Sequence, residues 1–204
     1  AHSRILPETF WTSREQSVFS QAELNSAQIL GLHNQDNLAL AGAIAEACEW
    51  DQRYRRGMLA FSGLPHRMQN LGEFQGVRFV NDSKATTLES VRTAVTSALG
   101  THPGRVILLL GGKDKNLPWE TLQDLGALDR LQFVFFGNVA PLAHQKSQLT
   151  GPVFPDLKST VANLKRIAQP GDLVLLSPGG TSYDEFNNFE ERGRIFEALV
   201  KEHF

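Results

Sequence analysis

Apolar residues in the last two thirds of this chain form short strand-like runs that alternate with helical patterns. The runs VILLL and LVLLS are continuously apolar, which is typical of parallel strands buried on both faces. The predicted strands are RVILLLGG, LQFVFFGN, GPVFPDL and DLVLLSP, and the predicted helices are TTLESVRTAVTSALG, WETLQDLGAL, VAPLAHQKSQL, KSTVANLKRIA and EERGRIFEALVKEHF. This order predicts an α/β fold with a doubly wound, mostly parallel, Rossmann-like sheet.

A β-hairpin is predicted before these strands, in HRMQNLGEFQGVRFV, with its turn between Gly72 and Gly76. The first sixty residues follow a different pattern, in which SVFS and AQIL predict short strands and NLALAGAIAEACE and DQRYRRGMLAF predict helices. In the first of these helices, Leu40, Ile44 and Ala47 fall near one face.

The domain organisation follows from these elements. Two strands and two helices bury too little apolar surface for an independent core, so we expect residues 1–63 to be the last part of a larger domain. Residues 64–204 are expected to form a complete second domain. The boundary lies in SGLPHR, because Gly63 and Pro65 interrupt both helix and strand.

Composition narrows the class of protein. A hydrophobic content of 41% and a charged content of 21% are typical of globular chains. The net charge of −2, without a block of Lys or Arg, argues against binding to nucleic acid or an anionic membrane. No apolar run reaches the roughly 18 residues of a membrane span, and AHSRILPETF does not resemble a signal peptide. With Cys48 as its one cysteine, the chain is expected to be cytoplasmic.

Three polar, glycine-bearing loops follow predicted strands: NDSKATT, GGKDKN and SPGGTSYDEFNNFEERG. Because ligands in open α/β sheets bind outside the carboxyl ends of the strands, we expect these loops to converge on one rim. In NDSKATT, Thr86 with Glu89 matches a capping box, whereas Lys84 is left for an anion or for solvent. GGKDKN is not a P-loop, and it is either a ligand-binding loop or a solvated charged turn.

Residues of the first part of the chain add one further candidate. In GLHNQDNLALA, Asn34 and Asn37 stand three apart at a helix start, so their amides face one way. Asn34 alternatively caps the helix. His33 has no second His or Cys at metal-ligand spacing, and no local pattern builds a nucleophilic triad.

Five of these segments, in chain order, make the sequence resemble the Mur ligases: GLHNQDN, SGLPHR, FVNDSKATT, LLLGGKDKN and LLSPGGTSYDEFNNFEERG. NDSKAT and the final loop are similar to those of members that add D-glutamate to UDP-N-acetylmuramoyl-L-alanine in peptidoglycan synthesis. The resemblance implies an ATP- and Mg²⁺-dependent ligase that forms an acyl phosphate, which the amine of D-glutamate then attacks. It also implies that this chain is the end of the central ATPase domain followed by the C-terminal domain. Without the P-loop and the UDP-binding domain, such a fragment is expected to be inactive alone.

The resemblance also implies site residues. The positions that match D-glutamate contacts are Lys84, Thr86, Lys115, Ser182 and Phe189, and those that match ATP or ADP contacts are Asn34, Asn37, Arg67, Asp82 and His66. It implies no catalytic residue or metal ligand in this chain, and a monomer that binds small molecules. Lysines and hydroxyls suit D-glutamate, because its two carboxylates need charge-assisted donors at two places. Lys113 has no assigned role.

Two other interpretations stay open at this point. The chain is similar enough in pattern to belong to another amino-acid ligase of the superfamily, such as a folylpolyglutamate synthetase. Alternatively, it is a non-catalytic module that binds a nucleotide or an amino acid and has kept the fold. Amino-acid specificity distinguishes a ligase that adds D-glutamate from another ligase of the superfamily. A P-loop upstream in the coding sequence would support a ligase, and its absence would support a binding module.

Overall fold

The computed structural model describes residues 17–27, 29 and 31–204, apart from the side chain of Leu32. The chain divides into two compact units, residues 1–62 and 63–204. A hydrophobic cluster lies within each unit.

The described part of the first unit is helical. Its elements are α1 (Gln21–Ser26), α2 (Leu32–Ala47) and α3 (Arg53–Leu59). The two helices predicted in NLALAGAIAEACE and DQRYRRGMLAF are confirmed as α2 and α3. In α2, however, Leu40 and Ile44 are 47% and 52% exposed, and the buried side chains include Leu38 and Ala39 instead.

The predicted strand SVFS is wrong. Residues 17–20 are irregular and lead into α1, where Ser20 and Glu23 form a capping box. The Ser-x-x-Glu signal thus begins a helix directly after the two apolar residues, and Phe19 packs against Leu24 in the core instead of pairing in a sheet. The second predicted strand, AQIL, lies partly outside the described residues.

The second unit is built on a six-stranded sheet with the order β1–β2–β6–β3–β4–β5. The strands are β1 (Gln69–Phe74), β2 (Val77–Asn81), β3 (Val106–Gly111), β4 (Leu131–Phe136), β5 (Val153–Phe154) and β6 (Leu173–Gly179). β1 pairs antiparallel with β2, as the predicted hairpin requires, and all other neighbours are parallel. The predicted α/β fold with a mostly parallel sheet is therefore confirmed.

Helices cover this sheet as the sequence pattern predicts. They are α4 (Leu88–Thr101), a 3₁₀ segment (Trp119–Ala127), α5 (Ala140–Ser147), α6 (Leu157–Ile167) and α7 (Phe189–His203). Phe79, Ile107 and Leu109 pack with α6 and α7, while the alternate residues Leu108 and Leu110 are also fully buried. Because side chains alternate between the faces of a strand, β3 is covered on both sides, which explains its continuous apolar run.

The start of α4 corrects one prediction. Its N-cap is Thr87, whose Oγ1 accepts a hydrogen bond from the Ser90 N–H at 3.2 Å, and not Thr86. The helix begins one residue later than the capping-box pattern indicated, at Leu88, which is buried with Val91 against the sheet side of α4. The hydroxyl of Thr86 is consequently left out of the cap.

Substituting the two threonines separately should distinguish the two cap positions. Thr87→Ala is expected to lower the free energy of unfolding by about 1 kcal/mol, because it removes the acceptor for an N-terminal N–H of α4. Thr86→Ala should change it by less than about 0.5 kcal/mol. Urea unfolding of both variants measures this, and a costlier Thr86→Ala would contradict the observed cap.

Candidate functional site

Three loops meet at the carboxyl end of the central strands. We call residues 82–87 loop A, residues 112–118 loop B and residues 180–188 loop C; they follow β2, β3 and β6. These three strands are neighbours in the order β2–β6–β3, so their ends lie side by side. The predicted convergence of the three loops on one rim is therefore what the structure shows.

A fully buried arginine joins loop A to loop C. Arg192, near the start of α7, donates from Nε to the Ser83 hydroxyl at 3.0 Å and from Nη2 to the Ser83 carbonyl at 2.8 Å. Its Nη1 donates to the carbonyls of Gly180 at 3.2 Å and Thr181 at 3.1 Å. The planar guanidinium suits this arrangement, because its donors point in fixed directions to several acceptors at once.

Neutral hydrogen-bond acceptors, three carbonyls and a hydroxyl, surround the charged guanidinium of Arg192. No ion pair between Arg192 and a carboxylate occurs in the described part of the chain. Burial lowers the pKa of Arg192 to about 10, while the charges of Asp184 and Glu185 act in the opposite direction. The guanidinium therefore remains protonated at neutral pH, stabilised by main-chain carbonyls and a hydroxyl.

Sequence reasoning missed Arg192, although a signal for it exists. Its position in α7 falls on the same helical face as Gly193, Phe196 and Val200, all of which are buried. A charged residue on an apolar helix face, close to two polar loops, indicates a buried hydrogen-bonding role. The 3.6-residue period of α7 could have identified it.

Loops B and C are joined through their main chains. Lys113 N–H donates to the Thr181 carbonyl at 2.8 Å, and Thr181 N–H donates back to the Lys113 carbonyl at 3.0 Å. Gly112 makes this possible, since its φ is 95° and a Cβ there would lie 2.2 Å from the Thr181 oxygen. The backbone of Lys113, whose role was unassigned, thus fixes loop B to loop C.

Asp82, predicted at the nucleotide, lies buried at the base of loop A. Its Oδ1 accepts from Met68 N–H at 3.1 Å, and its Oδ2 accepts from the Ser177 hydroxyl at 3.0 Å. Burial raises the pKa of Asp82 to about 6, although these hydrogen bonds and the charge of Arg67 work against the shift. The carboxylate therefore links β6 to the segment before β1.

His66 lies beside the same loop. Its carbonyl accepts from Lys84 N–H at 3.0 Å, and its Nδ1 is 3.1 Å from Asn81 Nδ2. An amide nitrogen only donates, so Nδ1 is the acceptor and carries no proton in this pair. Burial lowers the pKa of His66, which favours the neutral ring.

Lys84 and Phe189, both predicted at the D-glutamate site, are in contact. Lys84 Nζ lies 4.8 Å from the centroid of the Phe189 ring, and the ring of His66 meets that ring edge to face. Ser83 donates to the Phe189 carbonyl at 2.8 Å, which fixes the start of α7 against loop A. The structure thus brings Lys84, His66 and Phe189 together.

The remaining predicted residues of this unit lie on the same loops or beside them. Ser182 is 3% exposed on loop C, and Thr86 is half-buried on loop A; neither hydroxyl has a hydrogen-bond partner within the described residues. Arg67 and Lys115 are exposed. Lys84, Lys113 and Lys115 form no ion pair within residues 17–27, 29 and 31–204. The rim therefore presents cations and hydroxyls that a ligand can engage.

Asn34 and Asn37 belong to the first unit. Both lie in the first half of α2, where Asn34 is buried and Asn37 is exposed. The N-cap of α2 is Gly31, so the alternative that Asn34 caps this helix is wrong. Among the described residues, no group of three or more His, Cys, Asp or Glu side chains is arranged to hold a metal ion.

Comparison with known proteins places this rim in a family. Residues 66–180, which include loops A and B and the strand before loop C, match the family model described as "Mur ligase, glutamate ligase domain". The chain belongs to the Mur ligase family.

Two curated relatives of this Mur ligase chain carry the same name. A UDP-N-acetylmuramoylalanine–D-glutamate ligase of Buchnera aphidicola subsp. Acyrthosiphon pisum (strain Tuc7) is 36% identical over 182 residues, covering 88% of this chain and 41% of that protein. The ligase of that name from Chlamydia pneumoniae is 34% identical over 213 residues, covering 96% of this chain and 50% of that protein. The chain thus spans half or less of the length of these relatives.

Solved structures show the same fold. A structure of MurF from Acinetobacter baumannii matches with a TM-score of 0.61 and 21% identity, covering 84% of this chain and 38% of that one. Escherichia coli FolC in complex with ADP matches with a TM-score of 0.60 and 19% identity, covering 86% of this chain and 41% of that one.

None of the helices among the described residues has the length and apolar character of a membrane span.

Removing the Arg192 guanidinium should destabilise the second unit. Arg192→Met keeps much of the side-chain volume but removes the guanidinium donor from the carbonyls of Ser83 and Gly180 and leaves the Thr181 carbonyl with Lys113 N–H alone, which should cost about 3 kcal/mol or more. Urea unfolding followed by the fluorescence of buried Trp119 measures the loss. Arg194→Met, at an exposed neighbour in α7, is the control and should change little. Equal effects of the two variants would contradict the role given to Arg192.

The raised pKa of Asp82 predicts a pH-dependent stability. A carboxyl whose pKa rises on folding stabilises the fold below its unfolded pKa of about 3.8, and this contribution is lost as pH rises through about 6. The free energy of unfolding of the wild type, relative to Asp82→Asn, should therefore fall by about 3 kcal/mol between pH 3.5 and pH 7. Asparagine can still accept from Met68 and donate to Ser177. A difference that is constant with pH would contradict the burial of an ionisable group here.

Proposed function

We propose that this chain is the amino-acid-binding part of a Mur ligase that joins D-glutamate to UDP-N-acetylmuramoyl-L-alanine with ATP. The observation that carries the proposal is the rim itself, whose three loops are held by Arg192 and the Lys113–Thr181 bridge. Within the part of the chain that the structure describes, its lysines have no carboxylate partner and the hydroxyls of Thr86 and Ser182 have no hydrogen-bond partner. A dicarboxylate is the ligand that such a surface suits. The names of the curated relatives support D-glutamate as that ligand.

The D-glutamate site consists of Lys84 and Thr86 on loop A, Lys115 on loop B, and Ser182 on loop C, with Phe189 beside Lys84. Two ammonium groups on different loops match a ligand whose two carboxylates are separated by its carbon chain. Charge-assisted hydrogen bonds of this kind are worth about 1.5–3 kcal/mol each. Phe189 holds Lys84 by its ring and anchors loop A by its carbonyl, so it shapes the pocket.

In the second unit, nucleotide contacts are assigned to His66, Arg67 and Asp82. In the first unit, taken by itself, Asn34 and Asn37 are the residues assigned to the nucleotide. Asp82 already accepts one hydrogen bond on each oxygen, and each oxygen keeps a second lone pair for a ribose hydroxyl. Arg67 is exposed and supplies a cation for a phosphate.

ATP and Mg²⁺ are the proposed cofactors. A bifunctional folylpolyglutamate synthase/dihydrofolate synthase of Yersinia pestis, similar in fold, was solved with AMPPNP and a Mn ion. As the resemblance to the Mur ligases implies, the Mg²⁺ ligands are proposed to lie mostly outside this chain. When bound, the metal would neutralise phosphate charge during phosphoryl transfer.

In this mechanism, the chain positions the incoming amine. An acyl phosphate forms on the carboxyl group of the nucleotide substrate, and the amine of D-glutamate attacks it with release of phosphate. Holding the amino acid at both carboxylates restricts its rotation, so that the amine is presented in one orientation. The chain alone is proposed to be inactive, and the whole protein is proposed to act as a cytoplasmic monomer.

The reaction is tested with the product of the full reading frame. Labelled D-glutamate, ATP and UDP-N-acetylmuramoyl-L-alanine are supplied, with L-glutamate as the control amino acid. Incorporation of the D form alone supports the proposal. A folded protein that incorporates neither form would favour a superfamily relative with another substrate, or a binding module.

Lys115→Ala should raise the KM for D-glutamate at least tenfold, since it removes a charge-assisted contact worth about 1.5–3 kcal/mol. The KM for ATP should change much less. Steady-state kinetics with each substrate varied in turn measure both, and Lys146→Ala, at an exposed position of α5, is the matched control. If only the affinity for ATP falls, Lys115 does not belong to the amino-acid site.

A further inference from the structure

Asp114 stands between two lysines of loop B but pairs with neither of them. Its Oδ1 instead accepts from Leu117 N–H at 3.2 Å and from Trp119 Nε1–H at 3.2 Å. The carboxylate is therefore turned back towards the 3₁₀ segment. Lys113 and Lys115 on either side form no ion pair with any carboxylate in the part of the chain that the structure describes.

Trp119, whose indole N–H donates to Asp114, is held in the core. Trp119 is the first residue of the 3₁₀ segment and is fully buried. Burial acts to raise the pKa of Asp114. The hydrogen bonds that the carboxylate accepts, including those from Leu117 N–H and the Trp119 indole, together have the larger effect, so the pKa lies below its ordinary value. The hydrogen bonds thus favour the ionised carboxylate, which remains an acceptor at neutral pH.

Loop B is consequently fixed on both sides of Lys115. On one side, the main chain of Lys113 is bound to Thr181 of loop C. On the other, Asp114 ties the loop to Leu117 and Trp119, across Asn116, whose φ is 60°. A lysine held in this way loses less conformational freedom when its ammonium binds an anion than a lysine on an unrestrained loop.

We propose that Asp114 is a positioning residue that holds loop B in the shape in which Lys115 binds a carboxylate of the substrate. The inference rests on the proposed function, because it needs Lys115 at the amino-acid site. It explains why an acid interrupts two lysines at an anion-binding rim. Asp114 contributes hydrogen bonds to the loop and does not neutralise either ammonium group.

A double-mutant cycle tests this proposal in the full-length protein. Asp114→Ala should raise the KM for D-glutamate about tenfold by removing both hydrogen bonds, with little change in kcat or in the KM for ATP. Asp114→Asn should stay within about threefold of wild type, because the amide oxygen still accepts from Leu117 and Trp119. If Asp114 acts through Lys115, adding Asp114→Ala to Lys115→Ala should raise the KM no further.

The control is Asp124→Ala, which removes a carboxylate of the 3₁₀ segment that pairs with Arg92 instead. It should leave the KM for D-glutamate unchanged. Fully additive effects of Asp114→Ala and Lys115→Ala would overturn the inference while leaving the proposed function intact. Absence of D-glutamate incorporation by the wild type would instead refute the proposed function.

A second measurement does not depend on the substrate. Amide hydrogen exchange of the free protein should show faster exchange at Leu117 in Asp114→Ala, because its N–H loses its acceptor, and near-normal exchange in Asp114→Asn. Unchanged exchange in the alanine variant would overturn the proposal whatever the substrate is. Trp119→Phe, which removes only the indole donor, should give an exchange rate at Leu117 between those of the wild type and Asp114→Ala.

Discussion

The candidate site depends on one buried guanidinium. Arg192 has no carboxylate partner in the described part of the chain, so the cost of burying its charge is offset by hydrogen bonds to carbonyls and a hydroxyl of two loops. The same guanidinium therefore holds loop A and loop C together. Loop B joins them through the Lys113–Thr181 bridge, which shares the Thr181 carbonyl with Arg192.

This arrangement separates two tasks that a polar rim must perform. Asp82, Asp114 and Arg192 are hydrogen-bonded to other parts of the protein, and they help to fix where the loops lie. Lys84 and Lys115, by contrast, have no carboxylate partners within the described residues and remain available to a ligand. Burying the charged groups of Asp82 and Arg192 costs free energy, and hydrogen bonds that also fix the loops offset part of this cost.

Much of the fold was predictable from the sequence, because its strong patterns have simple physical causes. The continuous apolar run of β3 reflects burial on both faces, and the positions of the three loops follow from parallel strand order. The outcome was harder to predict where two local sequence signals favoured different structures. At residues 17–20 a capping box begins a helix where an apolar run predicted a strand, and at α4 the cap lies one residue later than the capping-box pattern indicated. The helical period of α7 marks Arg192 as a charged residue on a buried face, but its Ser83 partner lies 109 positions away in the chain, so no local pattern shows which loop it binds.

The acceptors of Arg192 have a consequence for how such a site can change. Three of the four are main-chain oxygens, which are the same whatever side chain their residue carries. The loops can therefore exchange their outward-facing side chains without disturbing the element that holds them in register. A scaffold of this kind lends itself to redesign, since the choice of amino-acid substrate can be altered at the tips of the loops while their framework is inherited unchanged.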